Sequence, residues 1–215
     1  LATIDRGLDE LIDTVQESRR RLRTGILEVA DALAGCFQRG GKLLICGNGG
    51  SAADAQHLAA ELVGRFKAAA RPGLPALALT ADSAVITAWS NDSGYEDVFA
   101  RQVEALGQPG DALIAISTSG KSQNLVRAFK AAQGRGLKCI GILGRDGGEL
   151  LQLSDIAVTV PSSDTQRIQE VQIVLIHLLC ELVEERLTAS GWIRTLAAEA
   201  TPAAWEPQVV AGHQR

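Results

Sequence analysis

Residues 42–61 read KLLICGNGGSAADAQHLAAE. A short apolar run meets a glycine-rich turn, and the turn opens a segment with helical spacing. The apolar run has the length of a buried strand. Glycines let backbone N–H groups approach a ligand closely, and a helix start carries partial positive charge. The spacing predicts a helix over 51–66, with Ser51 as its N-cap. His57 and Glu61 stand four residues apart and so share a face. Three readings fit them at this point: metal ligands, a catalytic base beside a histidine, or an exposed ion pair. The turn itself fits neither the Walker pattern nor GxGxxG.

Working outward, the same unit recurs. PALALT (75–80), ALIAIS (112–117), CIGIL (139–143) and IAVTV (156–160) are further short apolar runs. Segments of helical spacing lie between them, near 83–90, 95–106 and 122–134. Buried strands alternating with helices predict an α/β domain, doubly wound around a largely parallel five-stranded sheet. Ligands in such folds bind beyond the carboxyl ends of the strands. That rule selects the loops at 47–51, 80–83, 117–122 and 143–148.

Two helical regions flank this core. Residues 4–38 carry apolar positions at helical spacing, and the stretch from Arg19 to Gly25 marks a break between two helices. Residues 164–188 form a long helix whose Ile168, Val171, Val174, Leu175, Leu178, Leu179 and Leu182 give a wide apolar surface. Such a surface packs on other helices or on another subunit. The expected organisation is an N-terminal helical segment (1–38), a main domain (39–187) and a C-terminal extension (188–215) that reads as irregular.

Composition narrows the function classes. The 215 residues carry a net charge of −4, which does not suit an electrostatic nucleic-acid binder. No apolar run reaches the ~18 residues of a membrane span. The opening LATIDRGLDELIDTV is periodic and charged, unlike a signal peptide. Cys36, Cys46, Cys139 and Cys180 form no CxxC pair and no disulfide framework. Buried free thiols in a cytoplasmic protein are the expectation.

A second loop adds chemistry. Strand ALIAIS runs into STSGKS, residues 117–122, where four hydroxyls and a lysine precede a helix start near Ser122. Hydroxyls, loop N–H groups and a helix N-terminus together form a phosphate cradle. No nucleotide fingerprint accompanies it, so the expected ligand is a sugar phosphate. On the long C-terminal helix, Gln169 and His177 lie eight residues apart, within about 80° of each other. His177 sits in IVLIHLLC, where a histidine is ordinarily a core residue; His213 is expected to be exposed.

Taken together, GNGGSAADAQHLAAELVGRF (47–66), RPGLPALALT (71–80), SNDSGYEDVF (90–99), GDALIAISTSGKSQNL (110–125), GRDGGEL (144–150) and RIQEVQIVLIHLL (167–179) resemble the sedoheptulose-7-phosphate isomerases of the sugar isomerase (SIS) superfamily. The likeness runs in the same order over roughly residues 5–187. It implies an SIS-type fold with N- and C-terminal helices used for oligomerisation, and conversion of sedoheptulose 7-phosphate to D-glycero-D-manno-heptose 7-phosphate. Glu61 would be the base and His177 its acid–base partner. One zinc per subunit would be held by His57, Glu61, Gln169 and His177. Substrate contacts would come from Asn48, Gly49, Gly50, Ser51, Glu61, Asn91, Asp92, Ser117, Thr118, Ser119, Ser122 and Gln169. The resemblance also implies a homotetramer with active sites shared between subunits.

Lys121 stands where some members have Asn, and phosphate tolerates that change. The rival is a related SIS protein that binds the replication initiator and resembles this scaffold without the glutamate and the C-terminal histidine. A non-catalytic sugar-phosphate sensor is a third class; no DNA-binding helix-turn-helix accompanies the domain.

Overall fold

The computed structural model describes residues 1–68 and 71–193. The extension from 194 onward, with His213, lies outside the described residues. Five strands form one wholly parallel sheet: β1 (Leu43–Gly47), β2 (Ala76–Ala78), β3 (Ala112–Ser117), β4 (Lys138–Gly144) and β5 (Ile156–Val160). Their spatial order is β2-β1-β3-β4-β5. The chain leaves β1 toward one edge, then returns past it to β3 and continues the other way. The reversal opens a crevice at the carboxyl ends of β1 and β3, where Gly47 pairs with Ile116. The glycine turn at 48–50 and the hydroxyl loop at 117–122 therefore emerge side by side.

Helices cover both faces, which is why the strands read as continuous apolar runs. Leu43 and Ile45 face α2 (Arg23–Gln38), α3 (Gly50–Val63) and α8 (Thr165–Ala189). Leu44 and Cys46 face α5 (Val98–Leu106) and α6 (Gln123–Gly134). The alternation is the period of two that a pleated strand imposes. All four cysteines are free and buried. Burial pushes the Cys36 thiol up to about 11 and those of Cys139 and Cys180 up to about 12, so they act as packing groups.

The N-terminal pair breaks at Leu22, between α1 (Ala2–Arg21) and α2, inside the stretch the sequence marked. Three local expectations need correction. Ser51 is not an N-cap: Gly49 occupies that position, and Ser51 is buried inside the first turn. The helix also stops at Val63 rather than 66, because Gly64 takes a non-helical conformation. A short α7 (Gly148–Leu153) follows β4 where only a loop was expected.

The faces of α1 are unusual. Its only buried residues are Thr14 and Ser18, whereas Ile4, Leu8, Ile12 and Val15 are exposed. These four recur at helical spacing and make an apolar stripe turned away from the chain's own core. On α8, Val174 and Leu178 are likewise exposed while the rest of its apolar surface packs inward.

Candidate functional site

α3 begins at the reversal point and carries His57 and Glu61 along one face. The His57 Nε2 atom lies 3.3 Å from the Glu61 Oε1 atom. α8 crosses α3, and its His177 meets the same face: the two Nε2 atoms are 3.2 Å apart. The imidazoles stand edge to face, with centroids 5.0 Å apart. His177 is half-buried, and the Phe66 ring stacks on it at 5.6 Å. When His57 Nε2 carries its proton, that proton is shared between Glu61 and His177, leaving the His177 nitrogen as an acceptor.

One turn of α8 begins the other wall. Gln169 lies directly over the glycine turn: a Cβ on Gly50 would come within 3.1 Å of its Cδ and closer still to its amide nitrogen. Glycine at 50 is therefore what admits the Gln169 amide to the crevice. Asn48 is held by a reciprocal pair of bonds with Asn124, its Nδ2 donating at 3.0 Å and its Oδ1 accepting at 2.9 Å. The Tyr95 hydroxyl also donates to that oxygen at 2.9 Å. These bonds pin the glycine turn to the first turn of α6.

The hydroxyl loop is partly committed to its own shape. The buried Ser117 Oγ accepts from the Gly120 N–H at 3.0 Å, and the Ser119 Oγ from the Lys121 N–H at 3.3 Å. Thr118 and Ser122 are half-buried, and Ser122 sits at the N-cap of α6 without a side-chain cap bond. Lys121 is exposed and pairs with Asp146 at 3.1 Å. Gly120, at φ +65°, packs against Gly147 and Gly148 at the start of α7.

The structure thus brings His57, Glu61 and His177 into one cluster, and it gathers Asn48, Gly49, Gly50, Ser51 and Gln169 at the glycine turn, about two helical turns back along α3 from His57. The 117–122 loop neighbours them across the β1–β3 crevice. Asn91 and Asp92 are placed differently. They end α4 (Ser83–Asp92), are exposed, and bond each other at 2.9 Å. Sequence reasoning missed Asn124, Tyr95 and Phe66. Tyr95 is the only tyrosine in the chain and falls in the SNDSGYEDVF stretch, which was a usable signal. Asn124 gave one too: a polar residue at a core-facing position of a helix.

The same reading missed a buried ion pair behind the cluster. The Glu184 carboxylate on α8 accepts from the N–H groups of Phe66 (3.1 Å), Lys67 (3.0 Å) and Ala68 (2.8 Å), and pairs with Arg71. Burial raises this carboxyl's pKa, but the arginine and the three N–H groups outweigh that and leave it below its ordinary 4.5. A carboxyl so lowered contributes stability fully above about pH 4.5, and the contribution is lost as pH falls through the folded value. Glu184→Gln is therefore expected to be less stable than wild type at pH 7, with the difference shrinking below pH 4.5. Urea midpoints measured from pH 7 to 3.5 check this; a pH-independent difference would contradict it.

A zinc ion bound tetrahedrally at 2.0–2.1 Å requires donors about 3.3 Å apart. The His57–His177 and His57–Glu61 separations of 3.2 and 3.3 Å match that edge. Imidazole nitrogens, a carboxylate and an amide oxygen are donor types that zinc accepts. Among the described residues, no group of three or more His, Cys, Asp and Glu side chains is arranged to hold a metal ion. The fit is thus to donor pairs and donor chemistry. Among the described residues, no helix is long and apolar enough to cross a membrane.

The SIS domain family matches residues 8–144, well over half of the chain. The phosphoheptose isomerase of Roseiflexus sp. (strain RS-1) is 52% identical over 183 residues, covering 84% of this chain and 92% of that protein. Among solved structures, phosphoheptose isomerase GmhA from Neisseria gonorrhoeae superposes with a TM-score of 0.81 at 42% identity. A phosphoheptose isomerase from Francisella tularensis gives 0.84 at 38%. Each superposition covers 86% of this chain and 98% of the other.

Proposed function

The chain belongs to the phosphoheptose isomerases of the SIS domain family, and from that premise we propose its reaction: sedoheptulose 7-phosphate to D-glycero-D-manno-heptose 7-phosphate. It is an isomerase, and the reaction is the first step of nucleotide-activated heptose biosynthesis, for lipopolysaccharide core or a related glycoconjugate. The observation that carries this reading is the convergence of His177 with His57 and Glu61 on the helix that starts at the glycine turn.

The chemistry follows from the residues. Glu61 takes a proton from C1 of the ketose, giving an enediol, and returns it to C2. His177 protonates O2 and accepts the proton leaving O1, so the aldose forms without net gain or loss of protons. The phosphate rests on Ser117, Thr118, Ser119 and Ser122 and on the N–H groups at the start of α6. Asn48, Gly49, Gly50, Ser51 and Gln169 line the sugar, and the exposed Asn91 and Asp92 would complete the contacts in an assembly whose sites are shared between subunits. One zinc per subunit would be held by His57, Glu61, Gln169 and His177, where it would polarise the carbonyl oxygen.

A homotetramer with active sites shared between subunits is part of the proposal. The exposed stripe of α1 supports self-association, since apolar surface of this kind marks an interaction site. Leu8→Asp combined with Ile12→Asp is expected to dissociate the tetramer, read by light scattering after gel filtration. A tetramer that survives both charges would place the interface elsewhere. A cytoplasmic location is also proposed, and the four free buried thiols suit a reducing compartment.

The direct test incubates purified protein with sedoheptulose 7-phosphate, with and without added zinc, and follows the aldose by NMR. Turnover in either arm supports the reading. No turnover in both arms would overturn it.

A further inference from the structure

We propose that Arg71, Glu184 and Phe66 are positioning residues that hold His177 and Glu61 in register for proton transfer; the inference rests on the isomerase reading above. Arg71 and Glu184 are both buried, with side chains 0% and 5% exposed. A buried ion pair is a poor source of stability, because desolvation consumes most of its Coulomb gain. What it supplies here is direction. The Arg71 guanidinium donates from Nη2 to the Glu61 carbonyl at 2.6 Å, and from Nη1 to the carbonyls of Leu62 (2.7 Å) and Pro72 (2.9 Å). Two of those carbonyls lie in the last turn of α3, where helix geometry leaves acceptors unpaired. The fork therefore grips the backbone of the proposed base itself.

Its Nε donates to Glu184, and Glu184 stands seven residues beyond His177 on α8. Seven residues turn a helix by about 700°, so the two side chains project from nearly the same face. One rigid helix thus carries both the imidazole and the anchor of the arginine. The same carboxylate accepts the Phe66 N–H, and the Phe66 ring lies on the His177 ring with an interplanar angle of 26°. His177 is held between that ring and the edge of His57. Three contacts, to the Glu61 backbone, the α8 helix and the imidazole face, close on one another through Arg71 and Glu184.

The test compares wild type with Arg71→Lys, Glu184→Gln and Phe66→Leu. Arg71→Lys keeps the charge and loses the fork. Phe66→Leu leaves the ion pair alone, so it decides the matter if either charge variant fails to fold. For variants whose circular dichroism and oligomeric mass match wild type, kcat is expected to fall about ten- to hundred-fold, measured well below each melting temperature. KM is expected to stay within about two-fold, because a displaced base and acid act on the transition state. A folded variant with lowered melting temperature but wild-type kcat would make the cluster merely structural and overturn the proposal.

A second readout is independent of turnover. The ring nitrogen signals of ¹⁵N-labelled histidine are expected to shift in Arg71→Lys, which touches no imidazole. Unchanged ring signals would overturn the positioning role. If wild type itself shows no turnover, the isomerase reading fails, and these signals still report whether the cluster sets the imidazole geometry.

Discussion

Glu61→Gln is expected to lower kcat by about 10²–10⁴-fold, the range that general acid–base catalysis supplies. The fold should survive the change. The Glu61 side chain is 28% exposed and meets His57, whereas the group that Arg71 grips is its backbone carbonyl. An amide of the same shape leaves that grip intact. It cannot accept the substrate proton, so loss of turnover together with loss of solvent-deuterium uptake into the substrate isolates the proton-transfer role. Zinc content measured on the same preparation separates two duties. A variant that keeps metal and loses turnover has lost a base; one that loses both has lost a ligand. A wild-type rate would remove Glu61 from the mechanism.

Gly120→Ala is expected to cost about 3 kcal/mol or more, since a left-handed residue other than glycine costs roughly 1–3 kcal/mol before any clash. The clash is with backbone. A Cβ at 120 would come within 3.0 Å of the Gly148 nitrogen and closer still to the Gly147 carbonyl oxygen. The Gly120 carbonyl also accepts the Leu150 N–H at 3.0 Å, so relief by moving the loop breaks its tie to α7. For a chain of this size the melting temperature should fall by roughly 6–12 °C. KM for the sugar phosphate should rise, because the Gly120 N–H fixes the Ser117 hydroxyl within the proposed phosphate loop. Gly110→Ala is the control: φ is +93° there, with nothing within 4 Å of the added atom. Equal losses at 110 and 120 would show that the close approach is not what costs stability.

The sheet was readable in the sequence for a physical reason. β1, β3 and β4 are buried along almost their whole length and so are almost wholly apolar, and the partly exposed β2 and β5 are short apolar runs as well. His57 and Glu61 were readable because helical periodicity ties residues four apart. The meeting of His57 with His177 was not, because no local rule relates residues 120 positions apart; the family likeness alone linked them. The same holds for Asn48 with Asn124 and for Glu184 with Arg71, which depend on how α3, α6 and α8 lie across the sheet. Ser51 misled because residue type favours serine at a cap, while the glycine turn starts the helix earlier, with Gly49 at the cap. With six residues, α7 is too short to display a period.

The 120-residue span between the two imidazoles also bears on how the molecule comes into being. Contacts between distant positions pay loop-closure entropy before they return anything, and parallel sheets with crossover helices are slow for that reason. α3 can acquire its hydrogen bonds early and pack on β1 and β2, but His57 has no imidazole to meet until α8 has docked. In a refolding time course, helical ellipticity should therefore recover well ahead of any property that requires both histidines. An arrested chain lacking its last helix would retain all five strands and, of the cluster, His57 and Glu61 without His177, and so would be chemically silent.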